Sequence, residues 1–263
     1  MGKDKRHNTM ARDTLTYPNT EPFLKNRLRH MMTSEEKSRL EELCATEECL
    51  PGGTIALEAG KVYDRSMLLR EGFMLRTMRQ DGRTQIVGFQ VPGDFVDLHS
   101  FALKRLDHNI ETLGPCKVVY ARHEDLKSAI DENAHFARIL WFSTLLDASI
   151  HREWILKSKQ LRADARAAHF LAETWARLEL VDEARADGFV SPLTQVHIAD
   201  ICGTTPVHLS RCLSSLKDRG LGEFRRGRFY CQNRAALEEF GKFDPAYLYA
   251  NGDLGIGDEL RPE

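Results

Sequence analysis

The side chains best equipped for chemistry crowd into the last third of the chain. Thr194 comes first; Thr204, Thr205, Pro206, His208, Ser210, Arg211 and Ser214 follow in one short run, and Arg225, Arg226 and Arg228 then surround Gly227. Hydroxyls and imidazoles donate and accept hydrogen bonds, while guanidinium groups only donate, and they bind phosphate oxygens with short, charge-assisted bonds. That chemistry is recognition rather than bond making. The sequence has no nucleophile with a base at working spacing, no glycine-rich phosphate loop and no H-E-x-x-H pattern, so the chain is expected not to be an enzyme.

Placing these groups requires a sharp break in the backbone. After Thr194, a plausible cap, a helical pattern carries Ile198, Ala199 and Ile201 and stops at Gly203, where a left-handed backbone is unstrained only for glycine. A second helix starts at Pro206, capped by Thr204 or Thr205, where the missing proline N–H is no loss. Leu209, Cys212, Leu213 and Leu216 form its buried stripe, leaving His208, Ser210, Arg211, Ser214 and Ser215 outward. A small Ala199, a turn at Gly203 and apolar Leu209 and Cys212 are the pattern of a helix-turn-helix, whose second helix lies in the major groove of DNA. The continuation "LKDRGLGEFRRGRFY" ends that helix at Gly220 and reads as a two-stranded wing with its arginines on phosphates. A winged helix-turn-helix for double-stranded DNA is expected over residues 186–240.

The rest of the chain must carry this unit. Residues 1–19 read as a flexible polar tail and 241–263 as a C-terminal tail. Near "FLKNRLRHMMTSEEKSRLEELCA" a helix is expected, with Thr33 or Ser34 as N-cap. From Cys49 onward, short apolar runs are punctuated by turn glycines, which predicts an antiparallel barrel or sandwich within residues 20–126, with Asp81-Gly82 the clearest hairpin turn. After His123 a long run without proline or glycine predicts a long helix and a following helix over 127–185. Phe136, Leu140, Ser143, Leu146, Ile150, Trp154, Lys157 and Leu161 recur three and four residues apart, and Trp141, Leu145 and Ile155 form a second apolar face. A helix apolar on two faces must bury both, one in its own domain and one elsewhere. The regular three-and-four set is read as a coiled-coil-like seam with a second copy; the alternative is a core helix wrapped by one chain. A linker at residues 184–192 opens the last domain.

Composition limits the remaining classes. The 263 residues carry a net charge of −2, with 42% hydrophobic and 29% charged residues, which fits a globular protein and excludes a wholly basic nucleic-acid coat, though not a local basic patch. No apolar run approaches the ~20 residues of a bilayer span. No apolar stretch follows the charged start, so no secretory signal and no membrane partner are expected, and the location is the cytoplasm. Six scattered cysteines without a C-x-x-C pair read as free thiols. The competing reading is a redox or iron–sulfur site using Cys44, Cys49 and Cys116, whose spacing is too loose for a cluster.

Taken in order, the barrel with "VPGDFVDL", the helix after "HEDLKSAI" and the winged helix-turn-helix resemble bacterial transcription regulators of the Crp/Fnr superfamily, from Phe23 to Tyr249. The resemblance implies an α+β fold: an N-terminal antiparallel double-stranded β-helix barrel of the cupin-like, cyclic-nucleotide-binding type, a long dimerisation helix and a C-terminal winged helix-turn-helix. It implies a homodimer on a two-fold symmetric DNA site, an effector-sensing barrel, and RNA polymerase as a partner. Members that bind cyclic nucleotide carry a Gly-Glu pair and then an Arg-Ser or Arg-Thr pair. Asp97-Leu98 and Leu106-Asp107 fall at those places here, with Arg105 one residue away; His99 and His108 complete the candidate effector pocket. A leucine and an aspartate match a phosphate poorly, so cyclic AMP is not expected and no cofactor is assigned. In the iron–sulfur branch several cysteines lie close together near the N-terminus and one in the barrel. Cys116 matches the latter, but Cys44 and Cys49 are only two thiols at the wrong spacing, so no cluster is expected. His99, His108 and His123 are read as surface or hydrogen-bonded histidines before metal ligands, and no metal is assigned. The best-known members read DNA through an Arg-Glu pair early in the recognition helix and a later arginine. Pro206-Val207 replaces the pair and Arg211 keeps the arginine, which implies a bidentate Arg211–guanine contact, His208 and Thr205 on a neighbouring base or phosphate, and an operator unlike that of the cyclic-AMP receptor. Two other readings remain at this point: a redox- or metal-sensing member of the same family, and a cyclic-nucleotide-binding scaffold protein.

Overall fold

The computed structural model describes residues 16–250. The tail expected over residues 1–19 lies largely outside the described residues, and its last part is not a tail. Tyr17 is buried, and the Asn19 and Thr20 amides and the Thr20 hydroxyl all donate to the Glu41 carboxylate at 2.8–3.0 Å. Helix α1, Ser34–Leu43, starts at Thr33, which forms a reciprocal capping box with Glu36.

Seven strands follow: β1 Thr46–Leu50, β2 Ile55–Leu57, β3 Arg65–Glu71, β4 Met74–Gln80, β5 Arg83–Gln90, β6 Asn109–Thr112 and β7 Cys116–Arg122. They form two antiparallel sheets, ordered β1-β7-β3 and β2-β6-β4-β5. Met67, Leu69, Met74, Ile110, Val118 and Tyr120 fill the space they enclose. Asp81 and Gly82 both take positive φ between paired Gln80 and Arg83, the turn expected from a tight hairpin. A four-residue helix α2, Ser100–Leu103, lies between β5 and β6.

The long proline-free run is three helices. Helix α3 spans His123–Glu132, α4 Ala134–Gln160 and α5 Ala163–Leu180. The first break falls at Asn133, whose extended backbone lets its side chain cap Phe136 N, while buried Glu36 of α1 holds Asn133 and His135 at 3.1 and 2.6 Å. A local pattern could not show a break enforced by a carboxylate from nearly a hundred positions upstream.

The seam assigned to α4 is corrected. Phe136, Leu140, Leu146 and Ile150 are buried in the chain's own main core, Leu161 is buried as well, and Trp154 donates its Nε1–H to Glu173 of α5. Ser143 bonds back to the Leu140 carbonyl and Lys157 pairs with Glu153. The face left open is the other one, with Trp141 64%, Leu145 46% and Ile155 58% exposed. Both faces have helical spacing, so periodicity alone could not decide which of them meets the barrel.

Strand β8, Gly188–Val190, rises from the expected linker and pairs with β10, Arg228–Tyr230, which pairs with β9, Glu223–Arg225. The wing is therefore three-stranded rather than two, because Phe189 packs fully buried on Phe229 at 5.5 Å. Helix α8, Arg234–Gly241, and a 3-10 turn at Pro245–Leu248 close the described chain. Leu248 is fully buried and the Tyr247 hydroxyl donates to Glu173 at 2.7 Å, so the chain up to 250 is packed where a tail was expected; 251–263 lie outside the described residues. Among the described residues, no helix is long and apolar enough to cross a membrane.

Candidate nucleic-acid interface

The helix-turn-helix consists of α6, Gln195–Ile201, and α7, Pro206–Asp218. Thr194 caps α6 by accepting from His197 N, and Gly203 turns the chain at φ +57° while Thr204 N reaches back to the Ala199 carbonyl at 2.9 Å. Thr205 caps α7 by accepting from His208 N at 3.2 Å, with Pro206 in the first turn. Leu209, Cys212, Leu213 and Leu216 are buried, and nearly inaccessible Ala199 lets the helices approach closely. Each of these features is set by residues within a few positions of one another, which is why the sequence shows them.

The outward face of α7 is open. Thr205, Pro206, His208, Ser210, Arg211 and Ser214 are exposed and Thr204 is half-buried. Ser214 spends its hydroxyl hydrogen on the Ser210 carbonyl, which leaves its oxygen free to accept. Arg211 makes no ion pair among the described residues, so its guanidinium fork is available. Thr194 is exposed at the start of α6.

The wing arginines meet solvent. Arg226 and Gly227 both have positive φ, the two-residue turn geometry suited to twisted hairpins, and the turn projects Arg225, Arg226 and Arg228 outward. Arg228 is tied to Asp187 at 3.2 Å; Arg225 and Arg226 have no acidic partner among the described residues. A cleft of about 540 Å³ runs between the α5 N-terminus and α7, lined by Arg162, Arg166, His208, Arg211 and Arg219 among others. Arg162, Arg166 and Arg219 were missed by sequence reasoning: only folding brings the α5 start beside α7, whereas Arg219 caps α7 itself and carried no local signal. The net charge of −2 thus conceals a local basic surface.

The DNA-binding unit is seated on the barrel of its own chain. Asp200 of α6 accepts from the Ile86 N–H on edge strand β5 at 2.8 Å. Just past the turn that follows β5, Asp94 pairs at 2.7 Å with Arg177 of α5, whose side chain is 2% exposed and is also paired to Glu173. Burial lowers the Arg177 pKa, but Asp94 and Glu173 outweigh it and hold the group above its ordinary value.

The candidate effector residues do not converge as one pocket. Asp97 is fully buried and accepts from Met67 N at 2.6 Å and Ser100 Oγ at 3.1 Å; burial pushes its pKa up to about 7. Leu98 is a core residue, and Arg105 is exposed and bridges Val62 through its backbone. His99 and His108 do meet, with rings 5.4 Å apart, and burial followed by nearby Arg76 holds His99 down at about 4. Arg76 was not singled out from sequence, yet it is the buried cation there. It bonds the Val96 carbonyl at 2.7 Å and Asp147 of α4 at 2.5 Å, joining barrel to long helix. His123 is hydrogen-bonded to Ser66 at 3.0 Å. All six cysteines are free; Cys49 is exposed, the others are buried, and burial pushes the Cys44 thiol up. Among the described residues, no group of three or more histidine, cysteine or acidic side chains is placed to hold a metal.

Comparison with known proteins converges on the same unit. Residues 165–240 match the Crp-like helix-turn-helix domain family. The chain is 27% identical over 192 residues to the transcriptional activator protein FnrL of Cereibacter sphaeroides, covering 72% of this chain and 76% of that one. It is 28% identical over 151 residues to the nitrogen fixation regulation protein FixK of Bradyrhizobium diazoefficiens, covering 57% and 62%. The solved structure of FixK2 from Bradyrhizobium japonicum shares the fold, with a TM-score of 0.66 at 24% identity over 74% of this chain and 96% of that one.

Proposed function

The chain belongs to the Crp/Fnr family of DNA-binding transcription regulators, and from that premise we propose that it acts as a homodimer on a pseudo-palindromic operator. The observation that carries this reading is the open face of α7, with Arg211 unpaired beside the basic cleft and the wing. In a two-fold dimer, each subunit offers one α7 to the major groove, with the two separated by about one helical turn, ~34 Å. The exposed Trp141, Leu145 and Ile155 face of α4 supplies the dimer surface, since leaving large apolar side chains in water is unfavourable. The wing and the cleft arginines hold phosphates and set register, while α7 reads bases. RNA polymerase is the further macromolecular partner, and the work is done in the cytoplasm by occupancy of DNA rather than by catalysis.

Cyclic AMP is not the signal in this reading. Leu106 and Asp107 stand where a phosphate needs a cation and its hydrogen-bonding neighbour, and buried Arg76 is already committed to Asp147. A signal at the barrel, if one acts, alters DNA affinity only by favouring one relative placement of the two α7 helices over another.

Arg211→Ala tests the assignment of α7. Measured by competition between an operator and unrelated duplexes, the variant should lose about 1–3 kcal/mol of discrimination, the value of a bidentate arginine–guanine contact. Its salt-dependent binding to unrelated DNA should persist, since phosphate contacts carry that term. Unaltered selectivity in the variant would reject the role of Arg211.

A further inference from the structure

Beyond Pro206, which opens the helix, one outward residue of α7 is apolar. Val207, the second residue of the helix, is 67% exposed, whereas Leu209, Cys212, Leu213 and Leu216 are all buried. Val207 precedes Ser210, Arg211 and Ser214 by three, four and seven positions, so these four side chains share one helix face. It lies at the N-terminal end of α7, the end from which a recognition helix contacts base edges.

The side chain has the right chemistry for one base. Valine in a helix is nearly restricted to a single χ1 rotamer, so little freedom is lost when it is buried against a partner. It has no hydrogen-bonding atom, and the only apolar group on a major-groove base edge is the C5-methyl of thymine. Facing cytosine or adenine, it would shield an amino donor from water with nothing to receive its hydrogen, which is unfavourable.

We propose that Val207 is a specificity-determining residue that selects a thymine in each half-site through its methyl group. The assignment rests on the reading of α7 as the recognition helix. Four residues of helix separate Val207 from Arg211 along about 6 Å, on the order of two base-pair steps at 3.4 Å per strand. The selected thymine therefore stands within about two base pairs of the position Arg211 reads. The sequence marked Val207 only as a departure from the family's Arg-Glu pair; the exposed helix face it shares with Arg211 is what the fold adds.

Deoxyuridine makes the test specific, since it pairs as thymine does and lacks only the methyl group. An operator recovered by selection is synthesised with each symmetry-related pair of thymines replaced in turn. At one such pair, the wild-type protein should bind about fourfold more weakly per half-site, the effect of one buried methyl group of about 0.8 kcal/mol. Val207→Ala should abolish that sensitivity at the same pair and leave the response elsewhere as in wild type. Indifference of a selectively binding wild-type protein to every replacement, or an undiminished response in Val207→Ala, overturns the assignment alone. A wild-type protein that selects no duplex overturns the DNA-reading premise together with the assignment.

Discussion

Trp141→Glu combined with Leu145→Glu is expected to yield a folded monomer whose operator affinity has fallen by about 10²–10⁴-fold, the gain that linking two binding modules confers. The two side chains are four residues apart on the open face of α4, 64% and 46% exposed, with Ile155 continuing the stripe at 58%. Carboxylates there meet water in the single chain, so the fold tolerates them. In a dimer they would place like charges against each other across an apolar seam, which opposes association. Sedimentation should show half the wild-type mass, with a circular dichroism spectrum unchanged. Ile150→Glu supplies the contrast. That residue is 7% exposed within the chain's own core, so a carboxylate there should unfold the protein rather than merely separate it. A double variant that still sediments as a dimer would show that α4 does not carry the seam.

Arg177→Leu is expected to destabilise the fold by about 3–5 kcal/mol, the effect of removing one partner from a buried ion pair. The guanidinium lies between Asp94, past the turn after β5, and Glu173, one turn back in α5; Glu173 is fully inaccessible. Without Arg177, the Trp154 indole and Tyr247 hydroxyl still donate to Glu173, but the carboxylate charge has no cation within the core. Asp94 keeps its bond from Val91 N and the attraction of buried Arg27. Leucine fills part of the volume, so the loss is electrostatic rather than a cavity. The melting temperature should drop by roughly 6–20 °C at about 2–4 °C per kcal/mol. A melt within a degree of wild type would remove Arg177 as the buried tie between barrel and DNA-binding unit.

How much of this was legible in the sequence depended on range. The helix-turn-helix could be read because its cap, its glycine turn and its proline start are encoded within a few residues of Gly203. The Asp81-Gly82 hairpin could be read for the same reason. The face of α4 could not, because Phe136 to Leu161 and Trp141 to Ile155 both repeat at helical spacing, and the choice between them is made by α5 and the barrel. The break at Asn133 and the third wing strand depend on Glu36 and Phe229, which are distant in sequence. In the DNA-reading site, charge and hydroxyl content exposed Arg211 and the wing, but Arg162 and Arg166 joined the basic surface only through folding. Arg76 was hidden as one arginine among many on a strand, and its meaning comes from Asp147, which lies 71 residues further on.

The central claim is that two α7 helices, related by a two-fold axis, read one face of a duplex. Selection of bound sequences from a random duplex pool with the purified full chain tests it most directly. The account predicts an inverted repeat whose half-site centres lie about one helical turn apart, ~34 Å, with a guanine in each half-site. Enrichment of a single unrepeated site, or no enrichment above unrelated DNA, would contradict it.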